Sequence, residues 1–328
     1  METMNIRRLF TAILFAMATS TVASVAQDDP LPSWNDTATK SGIIAFVQKV
    51  TRSGTADFVP IEQRIAVFDM DGTLAPEKPY PAALVPVLED IKAAVEKNPQ
   101  LGQKPAVAAL LKGDHAALSA LGEAGITDLI AATTDGKTTE EIVRNVRASL
   151  ASTRIEKLGV PYLRSAYRPM RELLSYLEAN GFSVWICSGS PLLITREVAT
   201  EMFGIPRERV MGSSARTVLE ERGGKTVLVF KDAIEHYNDG DGKPMTINRA
   251  VGVRPIFVGG NEGGKGDIAM MRWSRDRLGP SFQILINHDD GEREFAYAEP
   301  DGYSLAAAAK YGFQVVSIKN DWKVIVAP

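Results

Sequence analysis

Near-continuous apolar runs recur along the chain at RIAVF (Arg64–Phe68), FSVWIC (Phe182–Cys187), PIFV (Pro255–Val258), FQILI (Phe282–Ile286) and FQVVSI (Phe313–Ile318). Short runs without a polar face predict strands buried on both sides of a sheet. Between them the apolar positions take helical spacing. Ile43, Ile44, Val47 and Val50 mark one helix, and Pro169 to Ala179 marks another that stops at Asn180-Gly181. The stretches beginning at Pro191, Lys265 and Tyr303 predict three more. Arg209 to Phe230 reads as a β-hairpin turning at Gly223-Gly224. Strands alternating with helices predict a mostly parallel, doubly wound α/β sheet.

From about Pro86 to about Leu163 the texture changes. Ala, Leu, Lys and Glu dominate VPVLEDIKAAVEK, PAVAALLKGDHAALSAL and TTEEIVRNVRASLAST, with Gly and Pro between them. This segment predicts an inserted unit of three to five helices and no strand.

The chain has 328 residues, 45% of them hydrophobic, enough for a large α/β core that carries a smaller unit. Its formal charge is −3 with no basic block, which argues against nucleic acid as a partner. Arg7 and Arg8 precede an apolar stretch, Leu9 to Val22, and small residues Ser24 and Ala26 precede Gln27. This is the pattern of a secretory signal peptide over residues 1–26. The expectation is an exported, periplasmic protein with no stable membrane anchor after cleavage. Cys187 is the single cysteine, so no internal disulfide forms, and its place in an apolar run predicts a buried small hydrophobe.

Polar residues collect where the strands end: Asp69, Asp71 and Thr73; Ser188 and Ser190; Asn261 and Asp267; His288, Asp289 and Asp290. Parallel sheets bring such ends to one edge, where their active sites lie. On these residues the chain resembles the haloacid-dehalogenase-like (HAD) hydrolase superfamily. VFDMDGTL is similar to its motif I, ICSGS to motif II, NDGDGKPMTI to the stretch carrying the motif III lysine, and FVGGNEGGKGDIAMM to motif IV. The resemblance covers roughly residues 60–320 and extends to phosphoserine and phosphorylcholine phosphatase-like secreted bacterial members.

The resemblance implies a Rossmann-like core over residues 27–85 and 164–328 and a helical cap over 86–163. It implies a phosphomonoester hydrolase acting on a small phosphorylated metabolite. Asp69 would be the nucleophile, forming an aspartyl-phosphate, and Asp71 the general acid and then base. The second aspartate favours a phosphatase over a dehalogenase. Ser188, Gly189, Thr73 and Lys243 would contact the phosphate, with Thr73 orienting Asp71 and Lys243 balancing charge. Lys225, also basic and downstream of motif II, is the rival for that lysine. Mg²⁺ would be held by Asp69, the carbonyl of Asp71 and motif IV. Motif IV departs from the pattern, with Asn261 where an Asp is usual, so either Asn261 or Asp267 completes the metal set. Two alternatives follow: a phosphotransferase using the same aspartyl-phosphate, and a non-catalytic phospho-ligand binding protein. His288 either lines the pocket or satisfies local backbone, Arg293 either contacts substrate or forms a surface salt bridge, and Tyr80, Tyr162 and Tyr167 serve as core or substrate contacts.

Overall fold

The structure, a computed structural model, describes residues 29–263 and 265–326. The signal-peptide segment, 1–26, lies outside the described residues. Nine strands are present among them: β1 Ile65–Phe68, β2 Arg154–Ile155, β3 Val160–Pro161, β4 Ser183–Pro191, β5 Val210–Arg222, β6 Lys225–His236, β7 Phe257–Asn261, β8 Phe282–Asn287 and β9 Gln314–Ser317. Seven of them form one sheet in the order β6-β5-β4-β1-β7-β8-β9. Every pairing in it is parallel except β5 with β6.

The central strand β1 explains the architecture. All four of its residues are buried, and alternate side chains enter separate cores. Ala66 and Phe68 meet the helices Ala38–Thr51, Arg168–Ala179 and Leu192–Phe203 through Ile43, Phe46, Leu173 and Val198. Ile65 and Val67 meet the helices Gly242–Val251, Lys265–Arg275 and Tyr303–Tyr311 through Ile247, Ile268, Met271 and Ala308. Each such fully buried aliphatic side chain stabilises the fold by about 1.5–3 kcal/mol. Helices on both faces leave the carboxyl ends of the strands as the open edge for chemistry. Cys187 is packed in the second core, where burial pushes its thiol up to about 12. Among the described residues no helix is long and apolar enough to cross a membrane.

Between β1 and β2 the chain forms five α-helices: Val85–Lys97, Pro105–Lys112, His115–Ala120, Gly122–Thr133 and Thr139–Ser152. The last starts with a capping box, in which the Thr138 hydroxyl accepts from the Glu141 N–H and the Glu141 carboxylate accepts from the Thr138 N–H. The expectation of no strand in the inserted unit needs correction. β2 and β3 pair as an antiparallel ribbon around Gly159, which adopts a positive φ. Two-residue strands are too short to leave a periodic pattern.

The β5–β6 hairpin turns at Gly223-Gly224, both with positive φ, and Arg222 pairs with Lys225. It extends past the sheet and packs against the inserted helices. Phe230 exchanges backbone hydrogen bonds with Gly136 and Lys137, and Thr138 bridges to Val229.

Candidate active site

The site is built on the tips of β1, β4 and β7. The Asp69 N–H donates to Gly259 O (2.9 Å), so the ladder runs on to the first aspartate. The chain then turns tightly, with Leu74 N donating to Met70 O and Gly72 N to Ala75 O. Gly72 has φ +81°, and a Cβ there would lie 2.1 Å from Asn261 Nδ2. Gly72→Ala is therefore expected to lower stability by about 1–3 kcal/mol from backbone strain alone, measured as a drop in denaturation midpoint. An unchanged midpoint would contradict this geometry.

The β4–β5 register shifts between Cys187 and Pro191. Such an irregularity re-aims side chains at a strand end. Here it brings two hydroxyls to Asp71: Ser190 Oγ donates to Asp71 Oδ2 at 2.8 Å, and Ser188 Oγ lies 3.5 Å from the same oxygen. Ser190 N in turn donates to Ser188 Oγ (3.1 Å). The loop is fastened by two buried side chains. Asn238 Nδ2 donates to Ser188 O (2.8 Å), and Ser213 Oγ donates to Gly189 O (2.8 Å).

Lys243 lies in the first turn of the helix after β6, and its buried ammonium sits between two carboxylates. Nζ is 2.7 Å from Asp69 Oδ1 and 2.5 Å from Asp267 Oδ1. Burial opposes its charge, but Asp267 and Asp69 outweigh that and hold the ammonium well above its ordinary range. Lys225, the rival, lies exposed at the hairpin turn. Asp267 uses its other oxygen to accept from Asn261 N (3.0 Å). Both Asp267 oxygens are thus engaged, and Asn261 occupies the tip of β7. The Thr73 hydroxyl, expected on Asp71, instead donates to Asn261 Oδ1 (3.4 Å), because the turn carries this fully buried residue past the aspartate.

Several acids therefore share one buried volume. Burial pushes Asp71 up to about 7, helped by the charge of Asp69 and opposed by the Ser190 hydrogen bond. Burial, then the charge of Asp69, lifts Asp267 to about 8 against the pull of Lys243. Asp69 is raised by burial, also against Lys243. Asp71 Oδ1 is buried without a hydrogen-bond partner among the described residues.

A cation fits this charge balance: three buried acids share one ammonium, which contacts only Asp69 and Asp267. No three His, Cys, Asp or Glu among the described residues are grouped to hold a metal. Oxygen atoms gathered here include the Asp69 carboxylate, Asp71 Oδ1 and the Asn261 amide oxygen. These are hard oxygen donors suited to a cation that keeps much of its water.

Behind the site lies a polar layer that the sequence reading only touched. His288 is buried and stacks on Tyr297 (4.2 Å between ring centroids), with Nδ1 3.4 Å from Glu294 Oε2. Tyr167 OH donates to Glu294 Oε1 (2.8 Å). Tyr297 OH would be 3.1 Å from a Cβ on Gly72, and Glu77 Oε1 3.4 Å from one on Gly263, so both flank the Asn261 turn. Burial raises the Glu77 carboxyl. Neither Glu77 nor Tyr297 stands in a motif, and only packing reveals them. Arg293 binds Asp290 (2.5 Å) and the carbonyls of Trp322 and Ile318, which ties down the C-terminal segment. Tyr162 and Tyr167 are core residues, and Tyr80 packs partly buried against the core.

Tandem carboxylates on a central parallel strand, a lysine bridging two acids and a serine loop on the next strand thus meet at the carboxyl edge of one α/β sheet. The family model described as haloacid dehalogenase-like hydrolase matches residues 66–272, and the chain belongs to that family. Among solved structures, the chain is similar to a conserved functionally unknown protein from Anaerococcus prevotii DSM 20548. Identity is 16%, with 89% of this chain and 94% of that one covered and a TM-score of 0.56. A phosphoserine phosphohydrolase-like protein from Francisella tularensis subsp. tularensis SCHU S4 matches at 14% identity, 75% and 98% coverage and a TM-score of 0.42. Cytosolic 5'-nucleotidase IIIB bound to cytidine matches at 13% identity, 90% and 90% coverage and a TM-score of 0.44. A comparison with curated proteins found no match.

Proposed function

We propose that the protein is an exported, Mg²⁺-dependent phosphomonoester hydrolase that works through an aspartyl-phosphate on Asp69. The observation that carries this reading is the contrast between the two neighbouring aspartates. Asp69 is paired with the Lys243 ammonium at 2.7 Å, which favours the ionised nucleophile. Asp71 has no cation beside it, is raised to about 7, and keeps one buried oxygen without a partner. One carboxyl group ion-paired to an ammonium and a neighbour held only by the Ser190 hydroxyl at 2.8 Å are suited to separate roles.

In the first step an Asp69 oxygen attacks phosphorus and the bond to the leaving oxygen breaks. Asp71 gives that oxygen its proton, and the alcohol departs. In the second step water attacks phosphorus, Asp71 takes the water's proton, and the bond to Asp69 breaks to give inorganic phosphate. Ser188 and the Gly189 loop, braced by Asn238 and Ser213, hold the phosphoryl oxygens. Lys243 stays between Asp69 and Asp267 and limits the build-up of negative charge. Asp69, the Asp71 carbonyl and Asn261 would hold Mg²⁺, which would supply further positive charge toward the phosphoryl group. The test is phosphate release from an aryl phosphate by the chain starting at Gln27, with and without Mg²⁺. Release that requires the ion supports the reading; a folded chain with no release under either condition contradicts it.

Asn261 motivates one alternative, a phospho-ligand binding protein with a weakened metal site. It leads to a specific expectation. Asn261→Asp places a further charge among Asp69, Asp71 and Asp267, so it should tighten Mg²⁺ binding by roughly tenfold or more and make thermal stability depend on Mg²⁺. Calorimetry and melting curves with and without the ion check this. Equal affinity in both chains would remove Asn261 from the metal set.

A further inference from the structure

A cavity of about 380 Å³ lies between the inserted helices and the β5–β6 hairpin, a size within the range of small-ligand sites. Its walls include Leu84, Val87, Leu129, Ile130, Ile142 and Phe230. It adjoins the candidate site through a shared loop. Pro191 lines it and directly follows Ser190, whose hydroxyl holds Asp71 at 2.8 Å. Ser213 lines it and donates to Gly189 O at 2.8 Å. At the far side Leu228 both lines the cavity and is 48% exposed, which places it where the cavity meets solvent.

The walls are mostly aliphatic, with Glu235, Thr139, Ser214 and Thr217 as scattered polar side chains among them. Thr133 and Thr134 are among its hydroxyls, and both already donate to their own helix, to Leu129 O (2.6 Å) and Ile130 O (2.9 Å). The Ser213 hydroxyl donates to Gly189 and accepts from Asn238 N (3.0 Å). The one basic residue in the lining, Arg196, is committed through Nε to Arg207 O (3.1 Å). A nucleoside needs several directed hydrogen bonds, and walls that are mostly aliphatic would leave part of them unmade, at a cost. A quaternary ammonium would find one carboxylate, Glu235, and a single aromatic ring, Phe230, but no aromatic cage.

We infer that the site's phosphomonoesters carry an apolar alcohol, alkyl or aryl, whose hydrocarbon body lodges in this cavity. The inference rests on the phosphatase reading for the position of the phosphate, and on the cavity for the rest of the substrate. The test uses n-alkylphosphonates, which present a phosphate-like head and are not hydrolysed. Their affinity for the Mg²⁺-loaded, otherwise unchanged chain is measured by calorimetry from methyl to octyl, with phenylphosphonate beside them. The expected result is a Kd that falls about three- to fourfold per added methylene until the cavity is filled. Phenylphosphonate, similarly, should bind more tightly than methylphosphonate. Ala215→Phe, which fills the wall from β5, should erase the chain-length gain and leave methylphosphonate binding intact. Ala215→Leu serves the same purpose if the larger ring disturbs the melting transition. A Kd independent of chain length, or a gain untouched by both fillings, would overturn the inference. The readout does not need turnover. Chain-length gain without phosphate release would uphold the cavity and sink the phosphatase reading, and release with a flat Kd would do the reverse. Alkyl against phenyl affinity separates the two kinds of alcohol.

Discussion

An Asp69→Asn chain is expected to fold normally and to release phosphate more slowly than the unchanged chain by more than roughly 10⁴-fold. The side chain keeps its shape and loses its nucleophilic oxygen. The fold has no reason to suffer. Lys243 keeps Asp267 as an ion-pair partner at 2.5 Å, and Asp71 loses the nearby charge that helps to raise it. The melting midpoint should therefore stay level or rise while activity disappears, the mark of a group kept for chemistry at the expense of stability. Steady-state phosphate release from an aryl phosphate, with a melting curve on the same sample, checks both halves. A tenth of the normal rate surviving would place the nucleophile elsewhere.

Lys243→Met should damage both properties. The change removes the ammonium between Asp69 and Asp267 and leaves two buried carboxylates facing a thioether. Removing one partner of a buried ion pair costs about 3–5 kcal/mol, against a few tenths of a kcal/mol for a solvated surface lysine. The pH dependence has a definite sign. Asp267 titrates near 3.8 in the unfolded chain and is raised to about 8 in the folded one even with Lys243 present. The unfolded chain thus sheds the proton first, and stability is lost as pH rises from 3.8 through the folded value. Without the lysine that folded value moves up further. The gap between variant and unchanged chain should be smallest near pH 5 and widest near pH 9 in urea titrations. Phosphate release should fall at least about a hundredfold, since the charge opposing the phosphoryl group is gone. A gap of a few tenths of a kcal/mol at every pH would return Lys243 to the surface-lysine class.

Most of the sheet was legible because its strands are buried on both faces. RIAVF, PIFV and FQILI are unbroken apolar runs for that reason, and the Gly223-Gly224 turn marked its hairpin directly. The β2–β3 ribbon was not legible, since two residues carry no period. The hairpin's packing on the inserted helices was also hidden. It depends on contacts such as Phe230 with Gly136, almost a hundred positions apart, which no local pattern encodes. At the site, Asp69, Asp71, Ser188, Lys243 and motif IV stood out as strand-end or motif residues. Their partners did not. Ser190 reaches Asp71 through the register shift in β4, and Thr73 reaches Asn261 because of a turn. Asn238, Glu77 and Tyr297 serve through packing alone. The choice between Lys243 and Lys225 likewise needed three dimensions, because both are basic and only one lies beneath the strand tips.

The central claim is covalent transfer of a phosphoryl group to Asp69, and Asp71→Asn tests it most directly. An aryl phosphate has a leaving group that needs little protonation, so transfer to Asp69 continues in this variant. The base that activates water is gone, so the second step slows by roughly 10²–10⁴-fold. Mass spectrometry after brief mixing should find one added phosphoryl group on the peptide that contains residue 69, and none in the Asp69→Asn chain. An Asp71→Asn chain that goes on releasing phosphate with no such adduct would contradict the account.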